Sequence, residues 1–326
     1  MKKMRKNLFL LLLICLCFGQ AEVSAIYSLK NGKLKNEKYN ASTTVEGHFK
    51  AAVHAMEKKN FKESVLQFNI VIHNFPESVY ASESQYFLGV QYYLLGQLDN
   101  SNNSFANYML AGNHNEYFEK AINYRLAIAD LYSEGWKKHF FGLQTMPRWV
   151  SAYDDAVEIY DEIVMVLPNH EQAAKALYSK ARLELRRDDF DASHDTLKTL
   201  LRRFQLNEYT VKAYLLLSDL YLKQAKTQSH NQDLLDLAYI NLRHFKDDFS
   251  RHEGINDLEN NIAEMEGIYA LRLFETGQFY ERTSRPESSV IYYSQVEREF
   301  PNTKAAELSK ERLQVLNEYA IQVGLR

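Results

Sequence analysis

One short phrase recurs along this chain and constrains its fold more than any other feature. An aromatic or aliphatic residue is followed by proline and a polar turn at 74–78, 166–170 and 299–303, and variants without the proline occur at 203–207 and 248–252. Each copy follows an amphipathic stretch of about four helical turns. Because a proline ring cannot continue the helical hydrogen-bond ladder, each copy predicts the end of a helix.

Each of these helices is preceded by another, which gives a helix–turn–helix unit of about 34 residues. The clearest unit lies at 80–112. Gly89 places a residue without a side chain where two helices must approach closely, Gly96 ends the first helix, and Phe105 packs from the second. This order of small and aromatic residues is typical of the tetratricopeptide repeat.

The pattern divides the chain into six such units and a closing helix. The units are 46–78, 79–112, 116–169, 170–206, 207–253 and 257–302, and the closing helix is 303–321. With only 12 Gly and 5 Pro and no long period-two alternation, strands are not predicted. Because one unit cannot bury its apolar face alone, the units must stack. The predicted fold is all-α: a tetratricopeptide-type solenoid of helical hairpins over 46–326, with about six repeats and a C-terminal capping helix.

The N-terminus has the features of a secretory signal peptide at 1–25. A cationic start precedes an unbroken apolar run of 11 residues from Leu8 to Phe18, and small residues end at Ala25. That run is too short to span a bilayer as a mature anchor, so it predicts export. Residues 26–45 are polar and aperiodic and predict a flexible tether.

Both cysteines of the chain, Cys15 and Cys17, lie inside this leader. Cleavage after Ala25 leaves an exported chain without thiols, and therefore without a disulfide or a cysteine metal site. Cleavage before Cys17 or Cys15 would instead leave a lipidated cysteine, although neither is preceded by the small residue usual at such a cut. The sequence leaves both outcomes open.

Charge and motifs argue against nucleic-acid binding and against catalysis. The formal net charge is −3, and the leader contributes three net positive charges, so the remainder carries about −6. No His-Glu-x-x-His, Gly-rich phosphate loop or Gly-x-Ser-x-Gly elbow occurs. His48 and His54 are six positions apart and fall on different faces of a helix. We therefore predict a protein that is not an enzyme and needs no cofactor or metal.

A helical solenoid offers a groove lined by the first helix of each hairpin. Counting along the second unit places Tyr86 and Tyr93 on its inner side, and neighbouring units add Phe49 and Asn123. Such a groove suits an extended or helical peptide, with tyrosine giving rigid amphipathic contacts. The alternative is that these tyrosines fill gaps between helices.

An aromatic-rich insertion at 135–150 interrupts the third unit. It contains Trp136, Phe140, Phe141 and Trp149, too many aromatic side chains to lie fully in water. One interpretation is an extra packing layer folded back over the solenoid. The other is a partner-binding surface, because aromatic residues and arginine dominate binding hot spots.

With the leader and repeats placed, the chain resembles the BamD family of bacterial outer-membrane assembly proteins. The resemblance is carried by 74–89, by 265–303, and by the Phe-Phe-Gly-Leu segment at 140–143. It implies that N-terminal repeats receive unfolded outer-membrane β-barrel precursors, and that repeats around 257–320 dock the periplasmic arm of the barrel-inserting subunit. Members of that family have five repeats and are lipoproteins, whereas this chain has an extra unit near 170–206 and a poor lipidation site.

The functional expectation is a non-catalytic scaffold that binds other proteins at the periplasmic face of the outer membrane. It would act as a monomer within a heteromeric complex that assembles outer-membrane β-barrel proteins, with membrane contact through a lipid or a partner. The alternative is a periplasmic adaptor for cell-wall or envelope-division proteins, since a related family of such coordinators shares the same repeat phrase. The third reading, from another class, is an enzyme or enzyme regulator with a site in the 135–150 insertion.

Overall fold

The computed structural model describes residues 27–30, 33–36, 39–111, 117–139, 146–205 and 207–322. Within these ranges the protein has thirteen α-helices and two short β-hairpins. The predicted signal peptide, including Cys15, Cys17 and the cleavage site, lies outside the described residues, and so do Phe140 and Phe141.

The helices form six hairpins and a closing helix, as predicted. The first three hairpins are α1 (Val45–Glu57) with α2 (Phe61–Asn74), α3 (Val79–Leu94) with α4 (Leu98–Leu110), and α5 (Phe118–Ser133) with α6 (Tyr153–Val166). The next three are α7 (Glu171–Arg186) with α8 (Phe190–Arg203), α9 (Glu208–Thr227) with α10 (Asp233–Asp248), and α11 (Ile255–Arg282) with α12 (Pro286–Glu299). The closing helix is α13 (Lys304–Gln322). The all-α, tetratricopeptide-type hairpin fold is therefore confirmed.

Five of the six second helices end at the recurring phrase; α4 ends instead at Leu110. The last turn is closed by the amide of an aromatic or leucine residue, which donates to the carbonyl four residues earlier; these residues are Phe75, Leu167, Phe204, Phe249 and Phe300. Proline follows three of them, at Pro76, Pro168 and Pro301. The phrase ends the helix with or without its proline, since the amides of Phe204 and Phe249 close the last turn in the same way.

Five of the six first helices end through one residue with a left-handed backbone. These residues are Lys59, Gly96, Gly135, Asp188 and Ser284, with φ between 57° and 99°. After each, the next amide donates to a carbonyl five residues back, as Gln97 N does to Tyr92 O at 2.9 Å. This is the Schellman arrangement, which satisfies carbonyls at the helix end.

Inside a hairpin, close helix approach depends on small residues. A Cβ added to Gly89 would lie 2.8 Å from Phe105 Cε1, and one added to Gly277 would lie 2.6 Å from Tyr293 Cε1. A serine on the second helix, twelve residues after the small residue, reaches back across this contact: Ser101 Oγ donates to Gly89 O at 2.8 Å. Ser193 Oγ does the same to Ala181 O at 2.9 Å.

The chain divides into two compact units, 1–124 and 125–326, with the boundary inside α5. In the N-terminal unit, Ala52, Phe68 and Leu88 form a buried cluster from α1, α2 and α3. In the C-terminal unit, one continuous core runs through α7 to α13 and includes Met265 and Tyr293. Hairpins therefore bury their apolar faces against their neighbours within each unit.

The segment before α1 contains a feature that sequence analysis did not anticipate. Strands β1 (Tyr27–Lys30) and β2 (Lys33–Asn36) pair antiparallel within the stretch predicted as a tether, with Leu29 opposite Leu34. The end of that stretch is tied to the first hairpin: Asn74 Nδ2 donates to Tyr39 O at 2.5 Å. The sequence signal was weak because both strands are only four residues long and β2 is mostly lysine and asparagine.

Buried His48 holds the residues just before α1. Its Nε2 accepts the amides of Ser42 and Thr43 at 3.1 and 3.2 Å. Its Nδ1 donates to Gln67 Oε1 at 2.6 Å. With both ring nitrogens bonded and only 2% of the residue exposed, His48 is an anchoring residue of the first hairpin.

Candidate partner-binding surfaces

Neighbouring first helices of the N-terminal unit, α1 and α3, enclose a pocket, here called the α1–α3 pocket. Its volume is about 310 Å³, and it is lined by Glu46, Phe49, Lys50, Val53, His54, Glu57 and Tyr80. The floor is apolar: Phe49 and Tyr80 lie with ring centroids 4.9 Å apart. Phe49 also packs against buried Phe68 at 6.0 Å, so the floor rests directly on the core. The pocket can take one apolar or aromatic side chain.

Charged side chains of both signs surround this floor. Lys50 Nζ lies 2.7 Å from Glu46 Oε1, and the hydrogen bond from Lys50 lowers the pKa of the Glu46 carboxyl. One turn further along α1, Glu57 lies 3.9 Å from His54 Nδ1. An apolar floor inside a polar rim is the usual anatomy of a protein-binding patch. The rim supplies hydrogen-bonding groups to a bound backbone, and the floor supplies the buried contact.

The four residues predicted to line the groove differ in how far they are exposed. Phe49 lines the α1–α3 pocket, and Asn123 is exposed on α5. Tyr93 is half-buried, with its ring 5.1 Å from that of Tyr124. Tyr86, in contrast, belongs to the core: it is 6% exposed, and its ring stacks on Tyr117 at 4.5 Å.

The placement of Tyr86 on an open groove is therefore corrected. Helical counting gives the face of α3 on which Tyr86 lies, but it does not show that Tyr117, just before α5, covers that face. Tyr80 was missed by the same counting. It lies six positions before Tyr86, about 120° away around the helix, so counting along the face of Tyr86 and Tyr93 does not reach it.

The described part of the 135–150 insertion forms a β-hairpin in the C-terminal unit. Strand β3 (Lys138–His139) pairs antiparallel with β4 (Arg148–Val150). Trp136 and Trp149, both predicted as contact residues, are 37% and 70% exposed. The expectation that the insertion is covered by packing therefore does not hold for these two side chains.

A second cleft lies in the C-terminal unit, between α9 and α11. It measures about 460 Å³ and is lined by Leu215, Asp219, Asp257, Leu258, Asn260 and Asn261. Asn261 Nδ2 donates to Asp219 Oδ1 at 2.9 Å, so part of its polar lining is already paired internally. Sequence analysis did not identify this cleft, because its residues come from helices forty residues apart and form no local motif.

The most deeply buried carboxylate among the described residues, that of Glu184, packs between helices. Glu184 on α7 is 4% exposed, and burial raises the pKa of its carboxyl. It lies within 3.9 Å of Lys180 Nζ, in the packing between helices. Tyr160 is similar, because burial and the neighbouring Asp130 raise the pKa of its hydroxyl, which donates to Asp130 Oδ1 at 2.6 Å. Neither residue lines the α1–α3 pocket or the cleft between α9 and α11.

Metal-binding groups and membrane spans were sought in the part of the chain that the structure describes. Within it, no group of three His, Cys, Asp or Glu side chains is arranged to hold a metal ion. No helix of that part is long and apolar enough to cross a bilayer.

Comparison with known proteins gives likeness at the level of fold. No family model matches the sequence, and no curated protein matches it. Among solved structures, a tetratricopeptide repeat protein from Parabacteroides merdae is 16% identical, with a TM-score of 0.36 over 83% of this chain and 98% of its own. A tetratricopeptide repeats protein from Bacteroides fragilis is 9% identical, with a TM-score of 0.41 over 84% of this chain and 100% of its own.

A third similar structure is PilF of Pseudomonas aeruginosa, at 12% identity and a TM-score of 0.32 over 83% of this chain and 96% of its own. At these identities and scores the likeness concerns helical hairpins and carries no argument about partners. The functional interpretation therefore rests on the surfaces of this chain.

Proposed function

We propose that the protein is a non-catalytic scaffold that binds segments of other proteins, with the α1–α3 pocket as its principal contact. The observation that carries this proposal is the apolar floor formed by Phe49, Val53 and Tyr80, open to solvent inside a charged rim. Burying one partner side chain there contributes about 1.5–3 kcal/mol. That is about ten- to a hundredfold in affinity, enough for a hot spot in a larger contact.

The chemistry of the pocket favours unfolded or extended clients. A single apolar pocket with charges of both signs around it can bind an aromatic or aliphatic side chain and places few restrictions on the adjacent residues of the client. Strands of outer-membrane β-barrels alternate apolar and polar residues, so an unfolded barrel precursor offers a suitable side chain at every second position. A binding site that tolerates many sequences suits such clients.

We therefore propose a more specific role in assembling outer-membrane β-barrel proteins, at the periplasmic face of the outer membrane. Support comes from the export leader at 1–25 and from the resemblance of 74–89 and 265–303 to the BamD family. On this proposal the N-terminal unit receives precursors, and residues around 257–320 contact a barrel-inserting subunit. The alternative is a periplasmic adaptor for cell-wall or envelope-division proteins, because a related family of such coordinators shares the recurring turn phrase.

Affinity purification with matched variants tests the proposal. Tyr80→Ala removes part of the pocket floor, while Leu110→Ala removes an apolar side chain that is 84% exposed at the end of α4. We expect Tyr80→Ala to lower recovery of partners about tenfold and Leu110→Ala to leave it unchanged.

The identity of those partners separates the two roles. Recovery of an outer-membrane barrel protein and its precursors supports the assembly role, and recovery of cell-wall synthases supports the alternative. If Tyr80→Ala recovered as much partner protein as Leu110→Ala, the α1–α3 pocket would not be the site at which partners bind. Substrate turnover by the pure protein would overturn the non-catalytic reading.

A further inference from the structure

The cleft between α9 and α11 has an apolar base and an acidic rim. At the base, Leu258 is 1% exposed and belongs to the core of the C-terminal unit, and Leu215 is half-buried against the same core. The start of α11 lies close to α9 at this point, because a Cβ added to Gly254 would be 3.1 Å from Leu215 Cδ2. At the rim, Asp219 and Asp257 are exposed to solvent. Packing therefore fixes the base, while the carboxylates of the rim remain accessible.

Asp219 is held in position by a neutral hydrogen-bond donor. Asn261 Nδ2 on α11 donates to Asp219 Oδ1 on α9 at 2.9 Å and to Oγ of the buried Ser218 at 3.2 Å. Because an amide carries no charge, these bonds orient the carboxylate without neutralising it. The cleft thus keeps a full negative charge at a defined position.

The two aspartates of the cleft have no cationic partner within the protein. In the part of the chain that the structure describes, neither Asp219 nor Asp257 forms an ion pair. The same two helices contain three glutamates that each pair with a lysine: Glu208 with Lys212, Glu259 with Lys246, and Glu264 with Lys226. Negative charge is therefore neutralised at those three positions but not in the cleft.

The lining of the cleft favours a cationic side chain over other ligands. Lysine and arginine have an apolar stem and a charged head, so the stem can lie on the leucines while the head meets the carboxylates. An apolar side chain would remove the carboxylates from water without giving them a partner, which is unfavourable. A calcium ion takes about six to eight oxygen ligands, and no described group of three His, Cys, Asp or Glu side chains is arranged to hold a metal.

We propose that the cleft between α9 and α11 binds a lysine or arginine side chain from a basic segment of a partner protein. The stem of that side chain contacts Leu215 and Leu258, and its charge pairs with Asp219 and Asp257. This contact presupposes the proposed function, since its ligand is a segment of another protein. It adds a second site in the C-terminal unit, with a requirement for positive charge that the α1–α3 pocket does not impose.

Fluorescence polarisation with a labelled peptide tests the cleft directly. The probe is a short glycine–serine peptide that contains several arginines, and its matched control carries citrulline, which keeps the shape of arginine but has no charge. The protein purified from its host is titrated into each peptide at low salt, where exposed charge pairs are strongest. We expect the arginine peptide to bind at least about fivefold more tightly than the citrulline peptide. A third peptide with lysine in place of arginine shows which of the two cations binds more tightly.

Matched variants distinguish the cleft from the general negative charge of the protein. Asp219→Asn together with Asp257→Asn should weaken binding of the arginine peptide about fivefold, because two exposed ion pairs are lost. Asparagine keeps the size of the side chain, and at position 219 it can still accept the hydrogen bond from Asn261. Glu275→Gln together with Glu287→Gln changes the net charge equally at two exposed carboxylates outside the cleft. This control pair should leave the affinity within about twofold of the wild-type value.

Tyr80→Ala separates this contact from the α1–α3 pocket, whose rim also contains glutamates. We expect this variant to bind the arginine peptide as the wild-type protein does. Loss of binding in Tyr80→Ala would place the peptide in the α1–α3 pocket and contradict the proposal.

Other results would also overturn the proposal while leaving the proposed function standing. One is equal affinity for the arginine and citrulline peptides, and another is an equal effect of the two double variants. A third is displacement of the peptide by calcium chloride but not by sodium chloride of the same ionic strength, which would assign the aspartates to a metal ion.

Discussion

Two glycines in helix interiors should respond oppositely to the same substitution. Gly89 lies inside α3, where an added Cβ would come within 2.9 Å of three Phe105 ring atoms. Gly267 lies inside α11, where an added Cβ would meet nothing within 4 Å. In both helices alanine has the better intrinsic propensity, by about 1 kcal/mol. Any difference between the two substitutions therefore measures the close approach of α3 and α4.

The surroundings of Phe105 determine the size of that difference. Phe105 is fully buried, and its ring stacks on Tyr124 at 5.0 Å and packs against Tyr86 at 5.8 Å. It cannot yield without disturbing both neighbours, and overpacking of this kind costs about 1–3 kcal/mol. After the propensity gain, Gly89→Ala should destabilise by up to about 2 kcal/mol. Gly267→Ala should stabilise by about 0.5–1 kcal/mol.

Urea unfolding followed by far-ultraviolet circular dichroism measures both changes. Each variant is compared with the wild-type protein under identical conditions, and the change in transition midpoint gives the sign. Equal stabilisation by the two substitutions would refute the account of hairpin packing. It would mean that α3 and α4 are further apart than the structure places them.

Two further changes test local features of the same fold. Ser284 has a φ of 58°, so Ser284→Gly should raise the free energy of unfolding by about 0.5–1 kcal/mol and with it the melting temperature. Gly96 has a φ of 67°, so Gly96→Ala should lower the free energy of unfolding by about 1 kcal/mol. On the closing helix, Arg312 donates to Glu281 of α11 and lowers the pKa of that carboxyl below its ordinary 4.5. A carboxyl whose pKa is lower in the folded state than in the unfolded state stabilises the folded protein at pH values above the unfolded-state pKa. This stabilisation is lost as the pH falls through the folded-state pKa. Glu281→Gln should therefore lower the free energy of unfolding at pH 7 by only about 0.5 kcal/mol, because the Arg312 side chain is 41% exposed. The melting temperature of this variant should also fall less steeply than that of the wild-type protein below about pH 5.

The repeat phrase was sufficient to predict the helices because its physics is local. Proline cannot continue the hydrogen-bond ladder of a preceding helix, and the helices before Pro76, Pro168 and Pro301 end at Phe75, Leu167 and Phe300. The left-handed residues were predictable only where glycine occupies them, as at Gly96. Lys59 adopts the same backbone although its side chain gives no such signal, because packing of the two helices fixes the turn.

The candidate surfaces were less predictable, because exposure depends on neighbouring hairpins. Tyr86 and Tyr80 both lie on α3, yet Tyr86 is covered by Tyr117, whereas Tyr80 opens into the α1–α3 pocket. The aromatic insertion could be recognised in the sequence from the four Trp and Phe residues within 135–150. Trp136 and Trp149 are exposed near the short ladder that pairs His139 with Arg148, and no sequence period indicates that pairing.

The most direct test of protein binding at the α1–α3 pocket is photocrosslinking in the exporting cell. A photoreactive amino acid replaces Tyr80 in one strain and Leu110 in another, so that both report from apolar positions of the N-terminal unit. The account predicts discrete adducts with exported polypeptides from position 80 and none above background from position 110. Absence of adducts at 80, or the same adducts at both positions, would contradict it.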